Sequence, residues 1–186
     1  MSFVFDNMPG NTALQCQQAI MKEIRNITEG MLFQDAGTKE PTEIRIYEQR
    51  LPINHDPVKE FGEAEHLDTI DFVGDQAEDA ILAAPWCTVK IDKGQNKDDN
   101  GYQNVKFAII FGIYSDEPEN NGHRDALNLI ENFMYRFTRD PILEGQYVCK
   151  GDFDWEINEE DTFPYTFAVI TTWFQVQTTQ REGMYL

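Results

Sequence analysis

Positive charge is scarce in this chain. Its 186 residues hold 15 Lys and Arg against 33 Asp and Glu, a formal net charge of -18. A groove that wraps nucleic acid through phosphate contacts needs a basic surplus, so that class of function is excluded. Long apolar runs are also missing. None approaches the roughly 20 residues that span a bilayer, and the N-terminus lacks the charged-then-apolar order of a signal peptide. Cysteine is sparse and odd in number, at Cys16, Cys87 and Cys149. The three are far apart, form no CxxC, and show no zinc spacing with His55, His66 or His123. They read as buried or half-buried thiols of a reducing compartment. Walker, GxGxxG, GxSxG and HExxH patterns are absent, so no catalytic motif supports an enzyme.

Aromatic and β-branched content is ample. With 41% hydrophobic residues and 13 Phe, the chain can build a core despite its charge. The length suits one domain, 1–186, able to bury roughly two-thirds of its unfolded surface. What remains is a soluble, acidic, folded intracellular protein.

Along the chain, Asn11 and Thr12 offer N-cap chemistry for a helix running to about Phe33, with an apolar stripe of Leu14, Met21, Ile24, Ile27 and Met31. Gln15, Gln17, Gln18, Lys22, Glu23 and Arg25 fill the polar side. Thr42 to Leu51 reads as a strand with Ile44 and Ile46 on one face and Arg45 and Tyr47 on the other. Residues 52–79 carry prolines, glycines and carboxylates without a sustained period, as an insertion or extended loop does. A short helix is expected near Gln76 to Ala83, before Pro85.

Trp86 to Asp92 and Val105 to Tyr114 form a long hairpin around a turn at 93–101. Ala108 and Ile110 make the second strand apolar on both faces, the pattern of a central strand covered on both sides. The strongest helical periodicity follows at about His123 to Arg139, with Ala126, Leu129, Ile130, Phe133 and Phe137 in register and Pro141 beyond. Arg136 and Arg139 sit in its last turn, as the helix dipole prefers. Gln146 to Cys149, Phe153 to Ile157 and Phe163 to Thr178 complete a β-rich end. The expected fold is α+β, an antiparallel β-sheet with two α-helices packed on one face and an inserted loop region.

Three constellations could carry chemistry. Asn96, Asp98, Asn100 and Gly101 match early positions of an EF-hand loop, but position 12 is Phe107 and strand follows, so a hairpin turn is the better reading. Carboxylates cluster at Asp116, Glu117 and Glu119, and from Asp152 to Asp161. They could hold a metal or exchange protons, yet they fall in turns without a phosphate loop, as solvated acidic surfaces do. Trp155 and Trp173 could form a ligand platform and read better as core and interface. No cofactor is expected.

The runs APWCTVKID (84–92), FAIIFGIYSDEPENNGHRDALNLIENFMYRF (107–137), DPIL (140–143) and EEDTFPYTFAVITTWFQV (159–176) resemble prophage proteins of the tail-terminator and neck-type module of long-tailed phages. The resemblance covers about residues 80–178. It implies a small α+β subunit of a ring, typically hexameric, at the head-proximal end of the tail, ending tube growth and joining the neck. Expected partners are further copies of itself, the tail-tube protein, a neck or head-completion protein, and genomic DNA passing without specific binding; no membrane is involved. Expected locations are the host cytoplasm during assembly and then the virion. Asp98, Asp99, Asp116, Glu117 and Glu119 become acids facing the lumen or an interface, where they would repel phosphates. The alternatives are a head-completion or connector protein of the same module and a small acidic metal-dependent enzyme.

Overall fold

The computed structural model describes residues 12–51, 84–96, 102–117, 121–158 and 162–177. Helix α1 spans Ala13–Ile27 and begins where the sequence says it should. Thr12 Oγ1 accepts the Gln15 N–H at 3.3 Å, and the Gln15 side-chain oxygen accepts the Thr12 N–H at 2.9 Å, a reciprocal capping box. The helix ends earlier than the expected Phe33. The Thr28 hydroxyl donates to the Ile24 carbonyl at 2.8 Å, and Gly30 takes φ +78°, a left-handed conformation natural to glycine, which turns the chain out of the helix.

Two short strands follow, β1 (Phe33–Gln34) and β2 (Pro41–Thr42), paired with each other. Strand β3 (Arg45–Glu48) is shorter than the expected Thr42 to Leu51, because Gln49 adopts φ +63° and breaks it. Then come β4 (Trp86–Gln95), β5 (Tyr102–Tyr114), helix α2 (Gly122–Arg139), β6 (Ile142–Leu143), β7 (Tyr147–Cys149), β8 (Asp154–Ile157) and β9 (Tyr165–Gln177). The expected insertion at 52–79 and the short helix at 76–83 lie outside the described residues.

The main sheet runs β3-β4-β5-β9-β7-β6, with β8 also on β9. It is antiparallel except at one place: β3 pairs parallel to β4, Arg45 opposite Trp86 through Glu48 opposite Val89. The expected hairpin is present, from Trp86 opposite Gly112 to Gln95 opposite Asn104, with a bulge between Ile91 and Lys93. β5 and β9 match residue for residue over thirteen positions, from Tyr102 opposite Gln177 to Tyr114 opposite Tyr165. The outer side of β9 is divided. β7 takes Phe174 and Gln175, and β8 takes Ala168 to Thr171.

Both helices lie on one face of this sheet, α1 over β3 and β4, α2 over β5 and β9. The core is therefore set by parity along each strand. Val105, Phe107, Ile109, Phe111 and Ile113 of β5 meet Ala168, Ile170, Phe174 and Val176 of β9, under Ile20, Ile24, Leu129, Ile130, Phe133 and Phe137. Phe174 stands edge-on to both Phe107 (5.7 Å between centroids) and Phe137 (5.3 Å). Such pairs add about 0.5–1.5 kcal/mol each beyond area burial.

The buried side of α1 is rotated from the expected stripe. Leu14 is exposed, whereas Cys16, Ala19 and Ile20 are buried. Gln17, expected among the polar residues, is also buried. Its Nε2 donates to the Val89 carbonyl at 2.7 Å and to Gln49 Oε1 at 3.0 Å. Gln49 continues the chain of bonds, accepting from the Ile91 N–H at 2.9 Å. A buried amide with both partners satisfied ties α1 to the point where the parallel pairing ends.

Candidate interaction surface

Among the described residues, the opposite face of the sheet carries no helix. β5 is central, as expected, but only its odd-numbered face is fully covered; Ala108 and Ile110 on the other side are half-buried. A smaller cluster sits at one end of this face: Ala36, Ala84, Trp86 and Tyr114 are buried, with Tyr47, Leu51, Ile110, Tyr165 and Phe167 packed around them. Gly112 makes room for it. A Cβ there would stand 2.3 Å from Trp86 Cε2, so the indole lies directly across the glycine. Tyr114 and Tyr165 meet at 5.2 Å.

A polar network borders that cluster. Asp35 Oδ1 accepts from the N–H groups of Thr38 (2.8 Å) and Gly37 (2.9 Å) and from the Thr38 hydroxyl (3.2 Å), while Oδ2 takes the Arg45 guanidinium. The Thr38 amide and Arg45 hold the Asp35 carboxyl down at about 2. This fixes the β1–β2 turn to the first residue of β3. Lys39, at φ +65°, donates to the Tyr114 hydroxyl, which donates to Asp116 Oδ2 at 3.1 Å. The Asp116 N–H donates to Gln34 Oε1 at 3.1 Å.

Of the acids singled out in the sequence, Asp98, Asp99 and Glu119 lie outside the described residues. Asp116 and Glu117 are both exposed and follow β5 directly. The Gln34 side chain, then Tyr114 and the Lys39 charge, hold the Asp116 carboxyl below its ordinary value. Glu117 accepts from Asn121 Nδ2 at 2.9 Å, just before α2. Its charge adds to burial in raising the Asp125 carboxyl. Asp116 thus belongs to the turn network, and Glu117 to the entry of α2.

The remaining sequence candidates separate. Phe107, position 12 of the EF-hand-like run, is fully buried in β5. Among the described residues no three His, Cys, Asp or Glu side chains converge as a metal site would require. All three thiols are free and buried, and burial raises each of them above the ordinary cysteine value. Trp155 and Trp173, expected as core and interface, are not core residues. Trp155 is 49% exposed on β8, and Trp173 is half-buried on the helix-free face. A shallow polar cleft of about 420 Å³ lies between α1 and the β6–β7 turn, lined by Gln15, Gln18, Lys22, Glu144 and Tyr147 among others; the Lys22–Glu144 pair, at 3.1 Å, spans it.

Sequence reading missed a grouping of three lysines. Strand register places Lys90 opposite Ala108, Lys93 opposite Lys106, and Lys106 opposite Trp173, all on the helix-free face. The alternation of β4 could have revealed Lys90, but the bulge before Lys93 shifts the parity that would place Lys93 beside it. Compared with known proteins, the chain matches no family model and no curated sequence.

Proposed function

We propose that the chain is a structural virion subunit, one of about six that form a ring at the head-proximal end of a phage tail, ending tube growth and joining the tail to the neck. The observation that carries this reading is the one-sided sheet. Among the described residues, helices clothe one face, while the other presents half-buried aromatics, Trp173 and three lysines in a chain of net charge -18. A surface of that composition suits protein–protein contact, where aromatic residues are enriched and buried cores are poor in charge. The resemblance of about residues 80–178 to prophage proteins of the tail-terminator and neck-type module supports a place at the tail end. The acidity fits a ring around passing DNA, because inward carboxylates repel phosphates instead of gripping them.

The reading is structural and not catalytic. Its thiols are buried with raised pKa values, and Asp116 is engaged with Tyr114, Gln34 and Lys39. The decisive experiment adds the purified chain to tail tubes assembled without it. Rings capping one end of each tube, with tube length fixed, are expected by negative-stain microscopy. Uncapped tubes of unrestricted length would reject the reading. Caps joined to heads without any effect on tube length would indicate a connector instead.

A further inference from the structure

We propose that the outer edge of β8 is a docking site for one extended segment of a partner protein, added antiparallel to β8 and carrying Lys or Arg at alternate positions with apolar residues between them. This contact does not depend on the ring. Register settles which backbone groups of β8 are free. The Asn158 N–H donates to the Phe167 carbonyl at 3.0 Å, so that pair bonds across β8 and β9. Bonded pairs recur at every second residue of an antiparallel ladder, which turns the backbones of Glu156 and Asp154 toward β9, opposite Val169 and Thr171. The N–H and C=O groups of Trp155 and Ile157 then point away from β9. Among the described residues no strand lies on that side of β8. Unpaired groups along an edge strand are a template for one strand more.

The two faces of β8 state what that strand must carry. Trp155 pairs with Ile170, so it projects on the face that carries α2, and it is 49% exposed there. Phe153, of the same parity, stands edge-on to Phe133 of α2 at 6.3 Å. Asp154 and Glu156 pair with Thr171 and Val169 and project on the opposite face, both exposed. Among the described residues neither carboxylate is ion-paired. On the outer side these acids hold the positions where an antiparallel neighbour makes no backbone bond, and there opposing side chains come closest. Opposite charges at such positions stabilise the pairing, and like charges weaken it. A strand with a cation opposite each acid and an apolar residue opposite Trp155 therefore fits both faces. A second copy of β8 does not fit. Paired about Trp155 by a two-fold axis, it would set Asp154 against Glu156 on both sides of the axis. The edge thus rejects its own copies, while a net charge of -18 draws a cationic segment toward it.

Synthetic peptides test the edge. The probe is a peptide of about nine residues with blocked ends that alternates Val and Lys; one control holds the same residues in two blocks, and another carries Glu in place of Lys. NMR titration of the full chain reads affinity, and amide exchange reads protection at Trp155 and Ile157. The alternating Lys peptide is expected to bind and to protect those two amides. The block and Glu peptides should bind at least about 10-fold more weakly, because the cross-strand charge pairs are lost or made repulsive. Asp154→Lys with Glu156→Lys, its fold checked by circular dichroism, should reverse the preference in favour of the Glu peptide. N-methylation separates strand addition from simple ion pairing. Methyl groups on the Val amides, which face β8, should abolish binding, whereas methyl groups on the Lys amides, which face away, should change it by less than about 3-fold. No binding of the alternating Lys peptide, equal binding of the block peptide, or equal sensitivity at the two sets of amides overturns the docking. Binding without protection of Trp155 and Ile157, or unchanged by the double charge reversal, overturns it as well.

Discussion

Replacing Gly112 with alanine is the most discriminating perturbation of the fold. Gly112 sits in mid-sheet between Trp86 on β4 and Phe167 on β9. Its backbone is ordinary strand, where alanine loses less conformational entropy on folding than glycine, so by backbone preference the change should stabilise slightly. Space decides otherwise. The new Cβ would stand 2.3 Å from Trp86 Cε2 and 2.6 Å from both Cζ2 and Nε1. Carbon atoms rest at about 3.5–4.0 Å, so the ring must retreat by more than about 1 Å. It has little room to do so, because the indole is buried and the Phe167 ring is centred 6.1 Å away. Overpacking of this kind costs about 1–3 kcal/mol, and for a chain of this size each kcal/mol lowers Tm by roughly 2–4 °C. Urea unfolding followed by tryptophan fluorescence and circular dichroism measures it. The same substitution in a Trp86→Leu background should cost less than about 0.5 kcal/mol, giving a coupling of about 1 kcal/mol or more. Equal costs in both backgrounds, or a cost near zero in the wild type, would refute the packing of Trp86 across Gly112.

Gln17→Leu removes the amide's bonds to the Val89 carbonyl and Gln49 Oε1, which keep the Gln49 N–H and the Ile91 N–H, and should cost about 0.5–1.5 kcal/mol in denaturant unfolding; a neutral result would mean that α1 is not pinned through this amide. The Asp35 carboxyl is held at about 2 against an ordinary 3.8, so its contribution to stability is full above the ordinary value and declines as pH falls toward 2. Asp35→Asn should flatten that acid limb of a stability-against-pH curve, and a limb unchanged by the substitution would count against the Thr38 and Arg45 contacts. Cys16, Cys87 and Cys149 should stay unlabelled by a thiol reagent at mildly alkaline pH and react only on unfolding; rapid labelling of any one in the native chain would contradict its burial.

Much of this architecture is local in origin, and that part could be read directly. The Thr12 cap, the α2 periodicity and the alternation of β5 and β9 are each stated by residues within one or two turns of one another. Elements that depend on distant partners could not be read. The end of α1 hinges on Thr28 and Gly30, whereas Ile27 and Met31 extend the apolar spacing past it. Gln17 looks like surface until Val89, 72 positions away, supplies its acceptor. The parallel pairing of β3 with β4 joins residues about 40 positions apart, and nothing in either strand's alternation distinguishes it from an antiparallel neighbour. The acids show the same limit. The exposure of Asp116 and Glu117 was legible, but the tie from Asp116 through Tyr114 to Lys39 exists only once β1, β2 and β5 converge.

The division of β9's outer side between β7 and β8 bears on how this sheet can come apart. β8 is held by four register pairs and by Asn158, whose N–H reaches the Phe167 carbonyl and whose Oδ1 accepts the Phe167 N–H. None of these bonds involves β7, so β8 can lift away while β7 and the long β5–β9 ladder stay closed, as small units of low local stability do. Amide hydrogens at the β8–β9 contact should then exchange faster than those between β5 and β9. The exposed stretch of β9 is only four residues long, too short to template extended stacking of strands, yet long enough to accept one foreign strand.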